Sequence, residues 1–301
     1  MKILVTGRDG QVAWELRRSL ASLGQVVALD RSSPTPLDLA DAASIRRAVA
    51  AVRPDLIVNA AAYTAVDKAE QDPDAAYAVN ATAPGLLAEA AAQLGAGLIH
   101  YSTDYVFPGD AAAPYAETDA TGPQGVYGAS KLAGEQAIAA SGAQHYILRT
   151  AWVYGNRGNN FLLTMLRLLR ERELLRVVND QLGAPTWSRL IAEATALLVA
   201  RSMDAAGRFA PGERGGIYLL SCGGQASWFE FAAAIRESGL ALGLLPATCA
   251  RLEAIPSSAY PTPAKRPAYS VLSNNKLAEG FGIRMPDWQD ALALCLADAS
   301  H

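Results

Sequence analysis

The first half of the chain alternates short apolar runs with longer segments of helical periodicity. Near-continuous apolar runs predict buried strands at 2–6, Gln25–Asp30, Asp55–Asn59, Gly97–Thr103 and Gln144–Arg149. Apolar positions at helical spacing predict helices over Gln11–Leu23, Asp41–Val52 and Ala75–Leu94, and a further helix that contains Tyr127. Strands that alternate with helices are typical of a parallel sheet covered on both faces. We therefore predict a Rossmann-type, doubly wound α/β fold.

The second half follows a different pattern. Helical spacing recurs over Phe161–Glu173 and Trp187–Ser202, and Leu174–Val178 is a predicted strand, but the segments that follow are short and rich in proline. We predict a dinucleotide-binding domain over residues 1–152 and a smaller α/β substrate-binding (cap) domain over residues 153–301. Segments of the second domain are expected to return to the sheet.

Composition narrows the function classes. Hydrophobic residues make up 51% of the chain and charged residues 18%, which is a globular composition. A net charge of −3 without a dense basic run argues against nucleic-acid and membrane partners, and no apolar run is long enough to span a membrane. The N-terminal apolar run is too short for a signal peptide, and the three scattered cysteines are typical of reduced thiols. We therefore expect a cytoplasmic protein.

The turn after the first predicted strand has the composition of a phosphate-binding turn. Gly7 and Gly10 allow a tight turn and let backbone N–H groups approach a pyrophosphate where the next helix begins, at Gln11 and Val12. Ala13 replaces the third glycine of the usual pattern and still permits close packing of helix and strand. Taken alone, this segment would equally suit an ordinary tight turn.

The ends of the next two strands strengthen the cofactor prediction. Asp30 ends the second strand, where a carboxylate can bind the ribose hydroxyls of a dinucleotide. Arg31 follows it and could instead receive a 2′-phosphate, so both NADH and NADPH stay open. Asp38–Leu39 could border the adenine, although a turn or helix cap also explains Asp38. The small residues of Asn59–Ala62 leave room for a ligand at the carboxyl end of the third strand.

A second group of polar residues is suited to hydride transfer. Tyr127 and Lys131 lie one helical turn apart, where the ammonium can lower the pKa of the phenol and help it exchange a proton. Thr103 and Asp104 follow the fourth predicted strand at the same sheet edge, where a hydroxyl can face the phenol and a substrate carbonyl. A strand-end hydroxyl and a turn cap would explain them singly. Together the four residues predict reduction or oxidation of a carbonyl carbon beside a nicotinamide.

The sequence lacks the residue patterns that other kinds of catalysis require. Histidine occurs only at His100, His145 and His301, without the spacing of metal ligands or of a Ser-His-Asp triad. The sequence has no Gly-x-x-x-x-Gly-Lys-Ser/Thr phosphate loop. We therefore predict no metal site.

With these motifs assembled, the chain resembles the dTDP-4-dehydrorhamnose reductase family of the extended short-chain dehydrogenase/reductase superfamily. The resemblance covers nearly the whole chain. Its segments are Gly7–Gln11, Asn59–Glu70, Ser102–Phe107, Tyr127–Lys131, Arg149–Tyr154, Val178–Thr186 and Lys265–Ser270. The first and fourth are shared across the superfamily, and the others are narrower.

The resemblance implies a reaction and roles for the reacting residues. The reaction would be reduction by NADPH or NADH of the C4 keto group of dTDP-4-dehydro-6-deoxy-L-mannose (dTDP-4-dehydrorhamnose) to dTDP-L-rhamnose. Tyr127 would protonate the C4 oxygen, and Thr103, with Asp104 adjacent, would hydrogen-bond that oxygen. Lys131 would hold the nicotinamide ribose and lower the pKa of Tyr127. The predicted cofactor-binding residues are Gly7, Gly10, Gln11, Val12, Asp30, Arg31, Asp38, Leu39, Ala61, Ala62, Tyr63, Thr64, Tyr127 and Lys131.

The resemblance also implies a substrate site in the second half. Val66 would line the pocket, Trp152 would pack on the sugar, and the loop that contains Asn179 would bound the nucleotide sugar. To these we add Arg266, because a guanidinium suits bidentate contacts with a pyrophosphate. An ordinary surface arginine explains Arg266 equally well.

Some positions depart from the family pattern. Pro108 stands where a polar residue is usual, which could reshape the loop over the site. Some family members dimerise through a metal held by glutamates. Glu15 fits that set, but Arg189 occupies the place of a second glutamate. This argues against a structural Mg²⁺ and predicts a monomer or a weak homodimer.

Two other functions suit parts of the pattern. One is a non-catalytic dinucleotide-binding subunit that resembles the regulatory subunit of methionine adenosyltransferase, against which the intact reacting residues argue. The other is a nucleotide-sugar epimerase or dehydratase. A dehydratase usually carries an acidic pair after the strand-end threonine, whereas Tyr105 follows Asp104 here. The patterns do not choose between the bases, the keto sugars or the two cofactors.

Overall fold

The computed structural model describes residues 1–299, and its first half alternates strands and helices as predicted. The elements of this half are β1 (Lys2–Thr6), α1 (Gln11–Ser19), β2 (Gln25–Leu29), α2 (Ala42–Val52), β3 (Leu56–Asn59), α3 (Val66–Ala69), α4 (Pro73–Tyr77), α5 (Ala83–Leu94), β4 (Gly97–Thr103), α6 (Val126–Ala140) and β5 (Gln144–Thr150). A 3₁₀ turn, Asp104–Val106, follows β4.

The second half contains shorter strands between helices. Its elements are β6 (Val153–Tyr154), α7 (Phe161–Glu171), β7 (Leu174–Val178), β8 (Leu182–Gly183), β9 (Thr186–Trp187), α8 (Ser188–Ala200), β10 (Gly216–Leu219), β11 (Ala226–Ser227), α9 (Trp228–Ala241), β12 (Arg251–Ile255), α10 (Asn275–Phe281) and α11 (Trp288–Ala299). Within residues 1–299, no helix is both long and apolar enough to cross a membrane.

Six parallel strands form the central sheet, in the order β10-β5-β4-β3-β1-β2. The predicted doubly wound α/β fold is thus confirmed. The chain runs from β1 outward to β2 and then returns to β3 on the other side of β1. This reversal opens a crevice at the carboxyl ends of β1 and β3, which is where open α/β sheets bind ligands.

The second half contributes to the sheet as well as packing a core of its own. Strand β10 extends the sheet beside β5, and α8 packs against α1. A separate apolar cluster joins α7, α9 and α11, with Leu162, Phe231 and Leu296 fully buried. The boundary at residue 152 stays a prediction, because the halves share one sheet.

The long helix predicted over Ala75–Leu94 is interrupted by a π-helical turn, Ala78–Thr82. Pro84 explains the interruption, because it has no amide hydrogen to donate to the carbonyl of Asn80 four residues earlier. The turn directs the buried Asn80 side chain at the loop after β3, where it bonds both the N–H and the C=O of Tyr63, at 2.9 and 3.0 Å. The irregular turn therefore fixes a loop at the ligand crevice.

Other predicted boundaries are off by a few residues. Helix α1 ends at Ser19, four residues before the predicted end, because Leu20–Leu23 close tighter turns before β2. Helix α8 begins at Ser188 and ends at Ala200, one residue inside the prediction at its start and two at its end. Strands β4 and β7 have the predicted bounds.

Candidate active site

Gly128 lets the first turn of α6 approach the chain just after β4. A Cβ on Gly128 would lie 2.2 Å from the carbonyl oxygen of Tyr105, so a larger residue would push the helix away. Glu70 caps the helix start by accepting the N–H of Val126 at 2.8 Å. The rings of Tyr105 and Tyr127 meet edge to face, with centroids 5.4 Å apart. These contacts bring the Tyr127 phenol to the carboxyl edge of the sheet.

The residues that end β4 are hydrogen-bonded to one another beside the Tyr127 phenol. Thr103 Oγ1 donates to Asp104 Oδ1 at 2.9 Å and accepts the N–H of Tyr105 at 3.2 Å. The Tyr127 phenol lies beside Thr103, whose hydroxyl lowers the pKa of the phenol against the larger raising effect of burial. The structure thus brings together three of the predicted reacting residues at the end of β4.

Asp104 follows Thr103 at the end of β4, and its side chain is buried. Burial raises the pKa of its carboxyl from an ordinary value of 3.8 to about 6, because a charge is poorly solvated there. Its Oδ2 is buried, and no hydrogen-bond partner for it occurs among residues 1–299. A buried acceptor without a partner is suited to a ligand donor.

Lys131 lies one turn after Tyr127 on α6, but its ammonium is held by β4. Lys131 Nζ donates to the carbonyl oxygen of Tyr101 at 2.6 Å and lies 3.1 Å from His100 Nε2. The side chain is fully buried, and burial lowers its pKa to about 8. The prediction that Lys131 lowers the pKa of Tyr127 is wrong for this structure. Burial raises the pKa of the phenol, which therefore stays protonated at neutral pH.

A cavity of about 330 Å³ opens at the carboxyl ends of β1, β2 and β3. Eight predicted cofactor residues line it: Gly7, Asp30, Arg31, Asp38, Leu39, Ala61, Ala62 and Tyr63. The other predicted residues of the turn and loop, Gly10, Gln11, Val12 and Thr64, lie outside this lining. The structure thus joins the ends of all three strands in one cavity, as their spacing predicted.

The turn beside this cavity has the features of an anion site. Gly7 has a φ of +86°, a conformation that disfavours a side chain. No side-chain bond caps α1 at Gly10, so the N–H groups of its first turn stay directed at the sheet edge. Gln11 Oε1 accepts from Asn160 Nδ2 at 2.9 Å, which ties this turn to the second half. A dinucleotide pyrophosphate fits these donors.

Two carboxylates at the cavity already accept hydrogen bonds from residues that follow them closely in the chain. Asp30 Oδ1 accepts the N–H and hydroxyl of Ser32, at 2.9 and 2.8 Å, and the hydroxyl of Ser33 at 3.0 Å. Asp38 Oδ1 accepts the N–H of Ala40 at 3.0 Å. Asp38 therefore closes a turn, the simpler explanation of this residue, while it also borders the cavity.

A second cavity, of about 570 Å³, lies where the two halves meet. Its wall combines the aromatic side chains of Phe161 and Trp228 with two guanidinium groups, Arg176 and Arg266. Sequence reasoning missed Phe161, Trp228 and Arg176, because they are far apart in the chain and belong to no recognised motif. Among them only Phe161 belongs to α7, whose amphipathic pattern gave a signal.

Of the predicted substrate residues Val66, Asn179 and Arg266, only Arg266 lines one of these cavities. Arg266 lines the second cavity, where its Nη2 donates to Asp67 Oδ2 at 2.7 Å. Its Nη1 is buried and has no partner in the described part of the chain. Asn179 uses its Oδ1 to accept the Ser227 hydroxyl at 2.7 Å, so its side chain is engaged within the second half. Val66 begins α3 and is half-buried, outside the lining of both cavities.

Trp152 lies in a strained position beside the second cavity. Its φ of +46° is rare for a residue with a side chain. The indole stacks on Trp228, with centroids 3.5 Å apart and an interplanar angle of 3°. Gly183 makes room for it, because a Cβ there would lie 2.4 Å from the indole. One face of Trp152 is thus covered by protein.

Glu15, in the middle of α1, faces a cation from its own chain. Arg189 Nε lies 3.3 Å from Glu15 Oε2, and its two terminal nitrogens donate to Asp298 at 3.0 and 2.9 Å. Ala13 of α1, which replaces the third glycine of the usual pattern, is buried against the turn of Gly7. The predicted weak dimer or monomer stays a prediction.

Comparison with known proteins identifies the family. The sequence profile described as "RmlD substrate binding domain" matches residues 1–301. A dTDP-4-dehydrorhamnose reductase of Burkholderia thailandensis is 53% identical over 301 residues, which cover 99% of each chain. The chain belongs to the dTDP-4-dehydrorhamnose reductase family. The resemblance predicted from the motifs is thus confirmed.

Solved structures of this family have the same architecture. The dTDP-4-dehydrorhamnose reductase of Clostridium acetobutylicum is 34% identical, with a TM-score of 0.89 over 100% of both chains. That of Bacillus anthracis, solved in complex with NADP, is 33% identical, with a TM-score of 0.88 over 99% of both chains. A UDP-glucose 4-epimerase of Thermus thermophilus, at 23% identity and a TM-score of 0.80, shares the fold.

Proposed function

We propose that this chain reduces the C4 keto group of dTDP-4-dehydrorhamnose to dTDP-L-rhamnose, with NADPH or NADH as reductant and Tyr127 as proton donor. The observation that carries the proposal is the position of Tyr127 beside the hydrogen-bonded pair of Thr103 and Asp104 at the carboxyl edge of the sheet. Relatives that match nearly the whole chain are dTDP-4-dehydrorhamnose reductases, which supports the substrate.

The cavity at β1, β2 and β3 is where we propose that the cofactor binds. The turn of Gly7 and the start of α1 would hold the pyrophosphate, and Asp30 would accept ribose hydroxyls. Arg31 lines the same cavity and would pair with a 2′-phosphate, so residues suited to both cofactors are present. The complex of the Bacillus anthracis relative with NADP supports this assignment.

When bound, a reduced nicotinamide dinucleotide supplies the hydride that reduces a carbonyl carbon. In our proposal Tyr127 gives its phenolic proton to the C4 oxygen, and the product is a hydroxyl at C4. The raised pKa of the phenol keeps that proton in place until the oxygen becomes negative. Thr103 would orient the oxygen, and Lys131 would hold the nicotinamide ribose.

The second cavity is where we propose that the dTDP part of the substrate binds. Phe161 and Trp228 offer flat apolar surfaces for a base, and Arg176 and Arg266 offer charge to the pyrophosphate. The buried Nη1 of Arg266, which has no partner within residues 1–299, is the group best placed to gain one from substrate. The indole of Trp152 would meet the sugar with its remaining face or edge.

The test is a cofactor-oxidation assay with product analysis. Purified protein is mixed with dTDP-4-dehydrorhamnose and NADPH, and separately with NADH, while the loss of reduced cofactor is followed. We expect one dTDP-L-rhamnose per cofactor oxidised, and faster turnover than with the UDP-linked sugar. No oxidation by folded protein that binds NADPH would contradict the proposal.

A second measurement distinguishes the reductase from an epimerase. An epimerase recycles a tightly held cofactor, whereas a reductase releases it in every turnover. We expect that the desalted protein carries no stoichiometric nucleotide when its supernatant is analysed after denaturation. Stoichiometric NAD⁺ retention, with sugar isomerisation and no net cofactor oxidation, would favour the epimerase.

A further inference from the structure

A row of buried polar side chains crosses the central sheet beneath the ligand crevice. Thr6, Asn59 and His100 are register partners on the adjacent strands β1, β3 and β4, so their side chains point to the same face. Each is at most 1% exposed. Because unpaired polar groups are costly in a sheet core, such a row persists only where every member finds a partner.

The row is hydrogen-bonded from one end to the other. Thr6 Oγ1 lies 2.7 Å from Asn59 Oδ1, and Asn59 Nδ2 lies 2.9 Å from His100 Nδ1. His100 Nε2 then lies 3.1 Å from Lys131 Nζ. At the other end, Thr6 Oγ1 accepts the N–H of Ala61 at 3.1 Å. The row thus connects Lys131 with the cavity at the carboxyl ends of β1 to β3, which Thr6 and Ala61 both line.

We propose that His100 is a positioning residue for Lys131, and that Asn59 and Thr6 hold the His100 ring in the tautomer this requires. The inference rests on the proposed function only in giving Lys131 a role at the site. Lys131 and His100 are both buried, and the partners of Nζ among residues 1–299 are His100 and the carbonyl of Tyr101. Without the imidazole, the long lysine chain would keep a single hydrogen bond to fix its end.

The donor count shows that each charge state of Lys131 fits one tautomer of His100. A neutral imidazole has one N–H and one lone pair, so the role of Nδ1 fixes the role of Nε2. When Asn59 Nδ2 donates to Nδ1, the ring proton lies on Nε2 and faces a neutral Lys131 amine. When the amide turns and Oδ1 accepts from Nδ1, Nε2 accepts from a Lys131 ammonium. The Thr6 hydroxyl suits both, because it can donate or accept.

Orientation of the Asn59 amide, tautomer of His100 and charge of Lys131 are therefore linked. Burial and the nearby Lys131 lower the pKa of His100 well below its ordinary value, so the ring stays neutral in both arrangements. The other titratable groups near Lys131 are Tyr127 and Glu135 on its own helix, and Glu135 is paired with Arg149. Asn59 cannot pass a proton on, so the row orients Lys131 and is not a proton wire.

The direct test is ¹⁵N NMR of the histidine rings, on which reductase activity has no bearing. The wild-type chain and the Lys131→Met variant are labelled at histidine, and His100→Gln assigns the signal. We expect a His100 ring that stays neutral between about pH 5 and 8 and whose protonated nitrogen changes in Lys131→Met. A ring that charges in this range, or signals unchanged by Lys131→Met, would overturn the proposal.

Kinetics give a second readout, with a matched control. His100→Leu removes the ring that bonds Lys131, His100→Gln keeps an amide in its place, and His145→Leu makes the same change at a histidine that bonds the Ala143 carbonyl at the far end of β5. We expect His100→Leu to lower kcat about a hundredfold with little change in KM for the dTDP-sugar, since misplaced groups cost rate more than binding. His100→Gln should recover most of this loss, and His145→Leu should match wild type.

If His100→Leu and His100→Gln have equal rates, whether both match wild type or both are inactive, the positioning role is overturned. If His100→Leu does not fold, the NMR comparison of wild type with Lys131→Met still decides. If wild type shows no reductase activity, the proposed reaction fails while the NMR result stands alone, so the two failures are distinguishable.

Discussion

Lys131 and Arg149 are both buried and both lie near the carboxylate of Glu135, yet only Arg149 is paired with it. Arg149 Nη2 donates to Glu135 Oε2 at 2.7 Å and Nε to Oε1 at 3.0 Å, and both side chains are 3% exposed. Lys131, one turn earlier on α6 than Glu135, is bonded to a carbonyl oxygen and lies beside a neutral imidazole. The fold thus gives Arg149 a bidentate carboxylate partner, although its Nη1 has no hydrogen bond within residues 1–299, whereas Lys131 forms no salt bridge in that part of the chain.

This difference indicates that Arg149 serves the stability of the fold, whereas Lys131 serves the reaction. The Arg149–Glu135 pair joins β5 to α6, and the bidentate contact neutralises the charge of Arg149 within the core. Burial lowers the pKa of Lys131 to about 8, so part of the folding free energy is given up to keep it. Perturbed and incompletely paired groups of this kind cluster at functional sites.

The largest expected effect is the loss of activity in Lys131→Met. Met fills a similar volume without a charge, so we expect kcat/KM to fall by about 10²–10⁴-fold. The free energy of unfolding should stay the same or rise, because no buried charge is left unpaired. Steady-state kinetics and urea unfolding of the same preparations measure the two. A variant that is both active and destabilised would reverse our assignment of Lys131.

Glu135→Gln should show the opposite pattern. Removing one partner of a buried pair leaves the Arg149 charge uncompensated, so unfolding free energy should fall by about 3–5 kcal/mol. Activity per folded molecule should change little. Glu171→Gln is the matched control, because its pair with Arg167 is half exposed, and we expect it to cost less than about 1 kcal/mol. Similar losses of unfolding free energy in Glu135→Gln and Glu171→Gln would contradict the distinction between the buried and the exposed pair.

Asp104 extends the comparison to an acid. Because burial raises its pKa from 3.8 to about 6, the folded state holds a proton that the unfolded state releases, and stability falls as pH rises between these values. Asp104→Asn lacks this penalty and should be the more stable by about 3 kcal/mol above pH 6, with no such gain below about pH 4. Urea unfolding at several pH values measures the gap. A gap that does not grow with pH would contradict the raised pKa.

Arg266 is an intermediate case, with one nitrogen paired and one buried without a partner among residues 1–299. We expect Arg266→Leu to raise KM for the dTDP-sugar about tenfold, since one charge-assisted contact is worth roughly that much, and to leave kcat near wild type. Arg167→Leu, an exposed arginine on α7, is the control. A fall in kcat with unchanged KM would move Arg266 from substrate binding to the reaction.

The sequence predicted the sheet well because its determinants are local. Apolar runs gave strands β4 and β7 their correct bounds, and the strand ends brought Gly7, Asp30 and Ala61 to one cavity. The π turn before α5 was missed, since the effect of Pro84 depends on the helix continuing through it.

The parts of the site that the sequence did not predict depend on partners from distant segments. His100 has no motif spacing and gains its contacts from register pairing across the sheet. Phe161 and Trp228 meet at the second cavity from two separate helices. The pKa of Tyr127 was predicted in the wrong direction, because helical spacing says nothing about burial.

The measurement that tests the central claim most directly is the rate of Tyr127→Phe with saturating dTDP-4-dehydrorhamnose and NADPH. The variant lacks only the phenolic hydroxyl beside Thr103, so we expect about a 10²–10⁴-fold loss of rate. The Kd for NADPH, measured on the same sample by fluorescence, should stay within a few-fold of wild type. Full activity in Tyr127→Phe would contradict its role as the proton donor.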